Sequence, residues 1–468
     1  MSKVSSRRRG AFFGGVKSVY PYMFTSMLAL GAPALHAADA GGEPGDNLTL
    51  RQAVRMALEQ NRDLRIAETR REQARAGAEA ATGRLMPRVD ATWNASRTDS
   101  PVNVFGAKLL QRRFTTADFA IANLNNPAAI NNYRTGVAVS LPVWQGGALW
   151  AGKRAGEAGA DAADWQYASA RQQTMLRVIE AFARLKAARA ERRAAEQAVA
   201  AARDHLEDTR ALKKRGLAIA SDVMDARSHW LEARVNLQSA QHAEDAARDE
   251  MRRLLGLPAG SPVRAGGESR LSLPERGLEE WLRLAEETQP AIKAARKALE
   301  AARAKADAAR APFLPSVALM ASEEWNNNTP APKHPNATIA ADVRLNLFAG
   351  GSDKARLRAA RAEVEARKLA LQDLMQRIRN QVRAAWRGLE EARMRLEASR
   401  QVLAQSEESL RIRKLRAEQG LEKTSDVLDA QTRLDAARAR AIHARYALTI
   451  AKARLLAAAG QLTPEVIQ

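Results

Sequence analysis

Gly216-Leu217-Ala218-Ile219-Ala220-Ser221-Asp222-Val223-Met224-Asp225-Ala226 returns 204 positions later as Gly420-Leu421-Glu422-Lys423-Thr424-Ser425-Asp426-Val427-Leu428-Asp429-Ala430. In both copies a glycine closes a long proline-free run rich in Ala, Arg, Glu, Leu and Gln, and a second such run follows the Ser-Asp pair. Those residues are strong helix formers, and glycine supplies the left-handed residue that ends a helix. Each motif therefore reads as the turn of a helical hairpin, with Ser221-Asp222 or Ser425-Asp426 placed to cap the return helix. The offset of 204 also maps Leu141-Pro142-Val143-Trp144-Gln145-Gly146-Gly147 onto Leu345-Asn346-Leu347-Phe348-Ala349-Gly350-Gly351. Further upstream, Leu85-Met86-Pro87-Arg88-Val89 matches Phe313-Leu314-Pro315-Ser316-Val317 at an offset of 228. The chain is a duplication, and its first half carries a loop about 24 residues longer between the two markers.

Working outward from the turns, the runs 147–215 and 350–419 predict helices of roughly 100 Å at 1.5 Å per residue. Val382, Leu389, Leu396, Leu403 and Leu410 keep a strict seven-residue spacing, the mark of a coiled-coil seam. On the return helices, expected over 220–255 and 424–460, Ala226, Ala233, Ala240 and Ala247 and then Ala430, Ala437, Ala444, Ala451 and Ala458 repeat at the same period. Alanine at seam positions lets backbones approach closely, so each long helix packs antiparallel on its return helix. Between the markers the period falls to two. Val89, Ala91, Trp93 and Ala95 alternate with polar residues; Val137, Val139, Leu141 and Val143 alternate with Gly136, Ala138 and Ser140; Val317, Leu319 and Ala321 form one apolar row; and Ile339 to Leu347 alternate with Ala340, Asp342, Arg344 and Asn346. Four strands follow, at about 87–98, 135–145, 315–325 and 337–348, each with one apolar side, as in a membrane β-barrel with a wet lumen. Periodicity alone also fits a two-sided soluble sheet. Trp93, Trp144, Trp325 and Phe348 near strand ends suit a membrane interface.

The N-terminus narrows the compartment. Lys3, Arg7, Arg8, Arg9 and Lys17 precede an uncharged stretch ending in Ala34-Leu35-His36-Ala37-Ala38, the parts of a secretory signal peptide over 1–38, cleaved between Ala37 and Ala40. The competing reading is an uncleaved anchor, but Pro21, Gly31 and Pro33 leave an apolar segment too short to span a bilayer. The predicted plan is signal peptide 1–38, first repeat 39–255, linker 256–280, second repeat 281–461 and tail 462–468. With no cysteine in 468 residues, disulfides, thiolate metal sites and Cys nucleophiles are excluded. Six scattered histidines argue against a His-rich metal centre, so neither cofactor nor bound metal is expected. No Gly-x-Ser-x-Gly elbow or metal triad is present, and the chain reads as a non-enzyme. The net charge of +21 admits a basic coiled-coil, nucleic-acid-binding alternative, which leaves the export signal and the amphipathic strands without a use. Arg189, Glu191, Arg192, Arg193 and Glu196 show how the basic residues interleave with acids on a solvated helix face.

Leu48-Thr49-Leu50 with Ala53-Val54 and Ala57-Leu58-Glu59-Gln60-Asn61, the Pro-initiated strands, Leu-Pro-Val-Trp-Gln-Gly-Gly and the duplicated Gly-Leu…Ser-Asp-Val…Asp-Ala turn together resemble the TolC family of outer-membrane channels, over about residues 48 to 461. The resemblance implies a mainly α homotrimer: long antiparallel helices form a periplasmic α-barrel, and four strands per chain enter a shared twelve-stranded β-barrel in outer-membrane lipid. It implies an exit duct for a tripartite efflux pump or type I secretion system, with a periplasmic adaptor protein, an inner-membrane transporter of RND or ABC type, and no nucleic acid as partner. By the same resemblance Asp426 and Asp429, with Asp222 and Asp225, line the periplasmic gate and offer a point of cation block at Asp426 and Asp429. Gly216, Leu217, Gly420 and Leu421 become the adaptor-docking positions. Four strands cannot close a barrel alone, which argues for a trimer independently. Three features depart from the family pattern. Arg62 replaces a proline that the second half keeps as Pro290, Glu422 and Ala417 occupy the places of a basic and an aromatic lock residue, and no cysteine follows the export signal.

Overall fold

The computed structural model describes residues 48–216, 218–267, 271–419 and 421–467, so the expected signal peptide lies outside the described residues. Helices α1 (Leu50–Gln60) and α2 (Arg62–Gly83) lead into β1 (Arg88–Thr98); α3 (Pro101–Leu110) and α4 (Ile121–Asn125) lie between β1 and β2 (Ile130–Gln145). Helix α5 (Ala148–Lys214) and its return α6 (Ala220–Leu255) complete the first half. The second half repeats this order with α7 (Leu278–Thr288), α8 (Pro290–Ala308), β3 (Ser316–Asn327), β4 (Pro335–Arg344), α9 (Ser352–Glu418) and α10 (Thr424–Ala458). Both long helices run for 67 residues. No described helix is long and apolar enough to cross a membrane.

The seams lie where the heptads put them. Val382, Leu389 and Leu410 on α9 are buried, as are Ala430, Ala437 and Ala444 on α10 and Ala226 and Ala233 on α6. The main core forms where the short helices and the linker wrap the middle of the long ones, through Leu50, Val54, Ile179, Phe182, Leu254, Trp281, Ile292, Leu455 and Leu462. The linker is pinned to the segment just before α1 and to the C-terminal tail. Leu48 pairs with Ala265 and Leu271 with Ile467, and the Ser272 amide donates to the Val466 carbonyl at 2.9 Å. The replacement of proline by Arg62 leaves the α1–α2 bend intact, because the Asn61 side chain accepts from the Leu64 amide at 3.0 Å and donates to the Leu254 carbonyl at 2.8 Å.

The four strands form one antiparallel sheet in the order β1-β2-β3-β4. Cross-strand partners share a face, and the register puts Val89, Val139, Ala321 and Ile339 in one row and Ala91, Val137, Glu323 and Ala337 in the next. That face is apolar near the long helices and turns mixed toward the remote end, where Glu323, Thr135, Asn327, Asn131 and Arg97 lie on it. The opposite face carries Asp90, Thr92, Asn94, Asn132, Arg134, Ser140, Asn326, Glu324 and Asp342.

Three sequence expectations need correction. The second strand begins at Ile130, five residues before the expected 135, because β1 continues opposite it to Thr98. The fourth strand stops at Arg344, because Ser316 opposite it is the first residue of β3 and the far edge of β4 has no neighbour; Asn346 instead donates to Asp353 at 2.7 Å. The longer connection in the first half is a folded insert carrying α3, a single 3-10 turn at Thr116–Phe119 and α4.

Duplication extends to the bends. Gly256 and Gly460 end the return helices at φ +72° and +71°, and an added Cβ would lie 2.6 Å from the Gln60 carbonyl oxygen or 2.8 Å from Gln289 Cα. Gly260, at φ +86°, faces open space. Gly260→Ala should therefore cost only the left-handed conformation, about 1–2 kcal/mol. Gly256→Ala and Gly460→Ala should add overpacking of roughly 1–3 kcal/mol, read as a larger loss in the denaturation midpoint of the detergent-solubilised protein.

Candidate functional site: the helical hairpin tips

Both long helices end in the turns that the repeated motif marks. Gly216 has φ +75° and its amide donates to the Lys213 carbonyl at 3.0 Å. In the second turn the Leu421 amide reaches back to the Arg416 carbonyl at 2.9 Å, the six-to-one bond of a Schellman ending. Leu217 and Gly420, two of the four expected docking residues, lie outside the described residues. Around them the tips present apolar side chains to solvent: Ile219, Met224 and Leu421 are each about two-thirds exposed.

Each return helix begins one residue before its serine, so neither Ser221 nor Ser425 is the cap. Helix α6 starts at Ala220, and the Asp222 carboxylate in its first turn accepts from the Ile219 amide at 3.0 Å. Helix α10 starts at Thr424 after Lys423, with no side-chain cap. Serine two residues into a helix is past the position whose oxygen faces the free amides. Of the expected gate residues, Asp222 and Asp426 are half-buried, whereas Asp225 and Asp429 are exposed. Within one chain they form no cluster: among the described residues no three His, Asp or Glu side chains converge on a position able to hold a metal ion.

A contact that sequence reasoning missed holds the second tip. Glu422, its side chain 14% exposed, accepts from Arg413 at 2.7 Å and pairs with Arg416 at 2.9 Å. Both arginines come from the last turns of α9, so the acid ties the start of the return segment to the end of the outgoing helix. Beneath it, Leu410, Val427, Ala430 and Leu434 make a small core against which Leu403 and Ala417 pack. The spacing Arg413-x-x-Arg416 with an acid just past the glycine was the available signal. The first tip has Lys213, Lys214 and Arg215 before its glycine but Ala218 in place of Glu422.

Comparison with known proteins places this geometry. The model of a family described as outer membrane efflux protein matches residues 53–257 and 281–461. The chain is 27% identical to Protein CyaE of Bordetella pertussis over 341 residues, 71% of this chain and 72% of that one. It is 24% identical to the alkaline protease secretion protein AprF of Pseudomonas aeruginosa over 435 residues, 89% and 85% of the two chains. Among solved structures, the CmeC outer membrane channel of Campylobacter jejuni shares the fold with a TM-score of 0.77 at 17% identity, over 88% of this chain and 85% of that one.

The clasp makes the second tip distinguishable from the first. Glu422→Gln, which keeps the shape and removes the charge, should raise amide exchange at 416–426 about tenfold, as expected for losing charge-assisted bonds worth about 1–2 kcal/mol. The turn at 214–222 should be unaffected, and equal protection at 416–426 in the wild type and the variant would show that the clasp holds nothing.

Proposed function

The chain belongs to the outer membrane efflux protein family, and from that membership we propose that three copies form one duct. The duct spans the outer membrane as a twelve-stranded barrel and continues inward as a ring of long helices. It serves a tripartite efflux pump or a type I secretion system, taking cargo from a periplasmic adaptor and an inner-membrane transporter that engage its hairpin tips.

One observation carries the closed ring: two halves with one architecture have different surroundings. Helix α5 is packed by α2 and by α8, whereas α9, besides its own partners α7 and α10, packs on α8 and makes no comparable contact with α2 among the described residues. Ala151, Ala155, Ala158 and Ala162 of α5 are buried, and their repeat equivalents Ala355, Ala359, Ala362 and Ala366 are exposed. The neighbour missing from α9 is the equivalent of α8, which is α2 of the next copy. Arg154 pairs with Asp307 at 3.2 Å across the α5–α8 contact. Transferred by the repeat, that pair becomes Arg358 with Glu79 of the next copy, residues that form no ion pair within the described chain. The β2–β3 partners Val139 and Ala321 likewise transfer to Val343 and Trp93 of the next copy, which keeps apolar side chains in register around the barrel.

At the tips, three copies of Asp426 and Asp429 surround one axis and focus a negative potential across a narrow opening, favouring cations. Exposed Ile219, Met224 and Leu421 give the adaptor an apolar footing beside the Gly216 and Gly420 turns.

Two measurements test these readings. Glu79→Arg or Arg358→Glu alone should lower trimer yield in detergent, and the two together should restore it; a rescue no better than either single change would rule out this contact. In planar bilayers the wild-type channel should prefer cations and be blocked by multivalent metal from the tip side. Asp426→Ala with Asp429→Ala should abolish both properties without loss of trimer; persistence of both would move the constriction to Asp222 and Asp225.

A further inference from the structure

The insert between β1 and β2 has no counterpart in the second half, where residues 328–334 suffice to join β3 and β4. It is a small folded unit. Phe114 stacks edge-on against Phe105 at 4.7 Å and against Phe119 at 5.1 Å. Lys108 and Asp118 pair at 2.6 Å, and that lysine, with the Thr115 amide, holds the Asp118 carboxyl down at about 2. A carboxylate so depressed contributes stability above its ordinary range and loses it only as pH falls through about 2, so the clasp stays ionised at any physiological pH.

The side on which the insert sits is fixed by three amides. Gln111, fully buried, donates to the Asn131 carbonyl and to Asn132 Oδ1, both at 2.9 Å, and Asn132 donates to the fully buried Asn326 at 3.0 Å. Asn132 and Asn326 belong to the polar face of the sheet, in line with Arg134 and Glu324. Arg112 also reaches across to the Pro335 carbonyl at the start of β4. The insert is therefore anchored over the polar face, at the end of the sheet remote from the long helices. In a barrel whose apolar face meets lipid, this is the inside of the outer mouth.

Helix α3 spends one face on that anchorage, with Val104 and Ala107 buried against the sheet end, and leaves a second apolar face bare. Val102, Phe105 and Leu109 lie at spacings of three and four on it, 81%, 36% and 49% exposed, and Phe119 and Ile121 extend the patch at 64% and 76%. Lipid does not reach the lumen side, so water or another copy must meet these side chains. The open edges of β1 and β4, which join the copies into a ring, lie beside the insert, and one insert per chain puts three around the axis.

We propose that the β1–β2 insert is a cap, three copies of which meet through the Val102, Phe105 and Leu109 face of α3 and narrow the outer exit of the duct. The occupant of the apolar face is the insert of another copy. This rests on the trimeric reading above, and gives the duct an apolar constriction at the outer end, where the aspartates give an acidic one at the inner end.

Because the chain has no cysteine, a single introduced thiol reports proximity between copies without background. Val102→Cys and Leu109→Cys in the full-length protein in outer membranes should each give cross-linked dimers with a short bismaleimide. Ser96→Cys, on the polar face of the barrel wall where copies stand a lumen apart, should stay monomeric on the denaturing gel. Replacing 101–125 by a short Gly-Ser turn should leave the trimer intact by mass in detergent and raise single-channel conductance by about two-fold or more. Intact trimers with no cross-link at 102 or 109, or unchanged conductance in the shortened variant, would overturn the cap. A wild-type protein that is monomeric in detergent would overturn the trimeric reading, and the cap with it.

Discussion

A backbone amide or carbonyl that faces lipid has no water to bond to, and this constraint governs the rest of the architecture. The sheet has two open edges, on β1 and β4. Neither edge can satisfy the other within one chain, because four strands are too few to curl into a closed barrel. The edges must pair between copies, and once they do, the helices that follow β2 and β4 are committed to the same ring. The bare alanine stripe of α9 is the soluble-side expression of that commitment. Its residues are as small as those of α5 yet exposed in the single chain, as expected if the helix they meet belongs to another copy, as proposed above.

Much of this was legible in the sequence because repetition and periodicity carry it. A 204-residue offset, two 67-residue helical runs, heptad leucines facing alanines and period-two strands are direct imprints of packing. The insert was not legible. Val102, Val104, Phe105, Ala107, Leu109 and Leu110 form a nearly continuous apolar run, and a helix with two apolar faces has no single-period signature. The caps also escaped. Ser-Asp marks a helix start, but which residue caps depends on where the preceding turn leaves the backbone, and a residue's shift of the start moved the role from Ser221 to Asp222. The Arg413–Glu422–Arg416 clasp depends on the chain folding back on itself and shows no periodicity at all.

The two tips are unequal in a way that bears on gating. Asp222 and Asp426 hold the same place in the first turn of their helices, yet only Asp222 has its carboxylate engaged by a backbone amide. A carboxylate oxygen already accepting from an amide has one fewer lone pair to offer a passing ion. Asp426 has no such engagement among the described residues, and Asp429 is exposed one turn further on. In the proposed trimer the second tip would therefore supply most of the uncommitted acidic charge.

That same tip is the one held by Glu422. A clasp within one hairpin fixes the shape of the turn without tying it to a neighbour, so it stiffens the element carrying the charges and leaves the hairpin free to move as a body. A bond between neighbouring copies would act in the opposite sense, locking the ring shut. Arg413 and Arg416 are committed to Glu422 of their own chain and so are not free to bond a neighbouring carboxylate. In the trimer proposed above, Glu422 in place of a basic lock residue would leave no such bond between copies, and mutual repulsion of the aspartates would oppose closure unless a cation or a docked partner screened the charge.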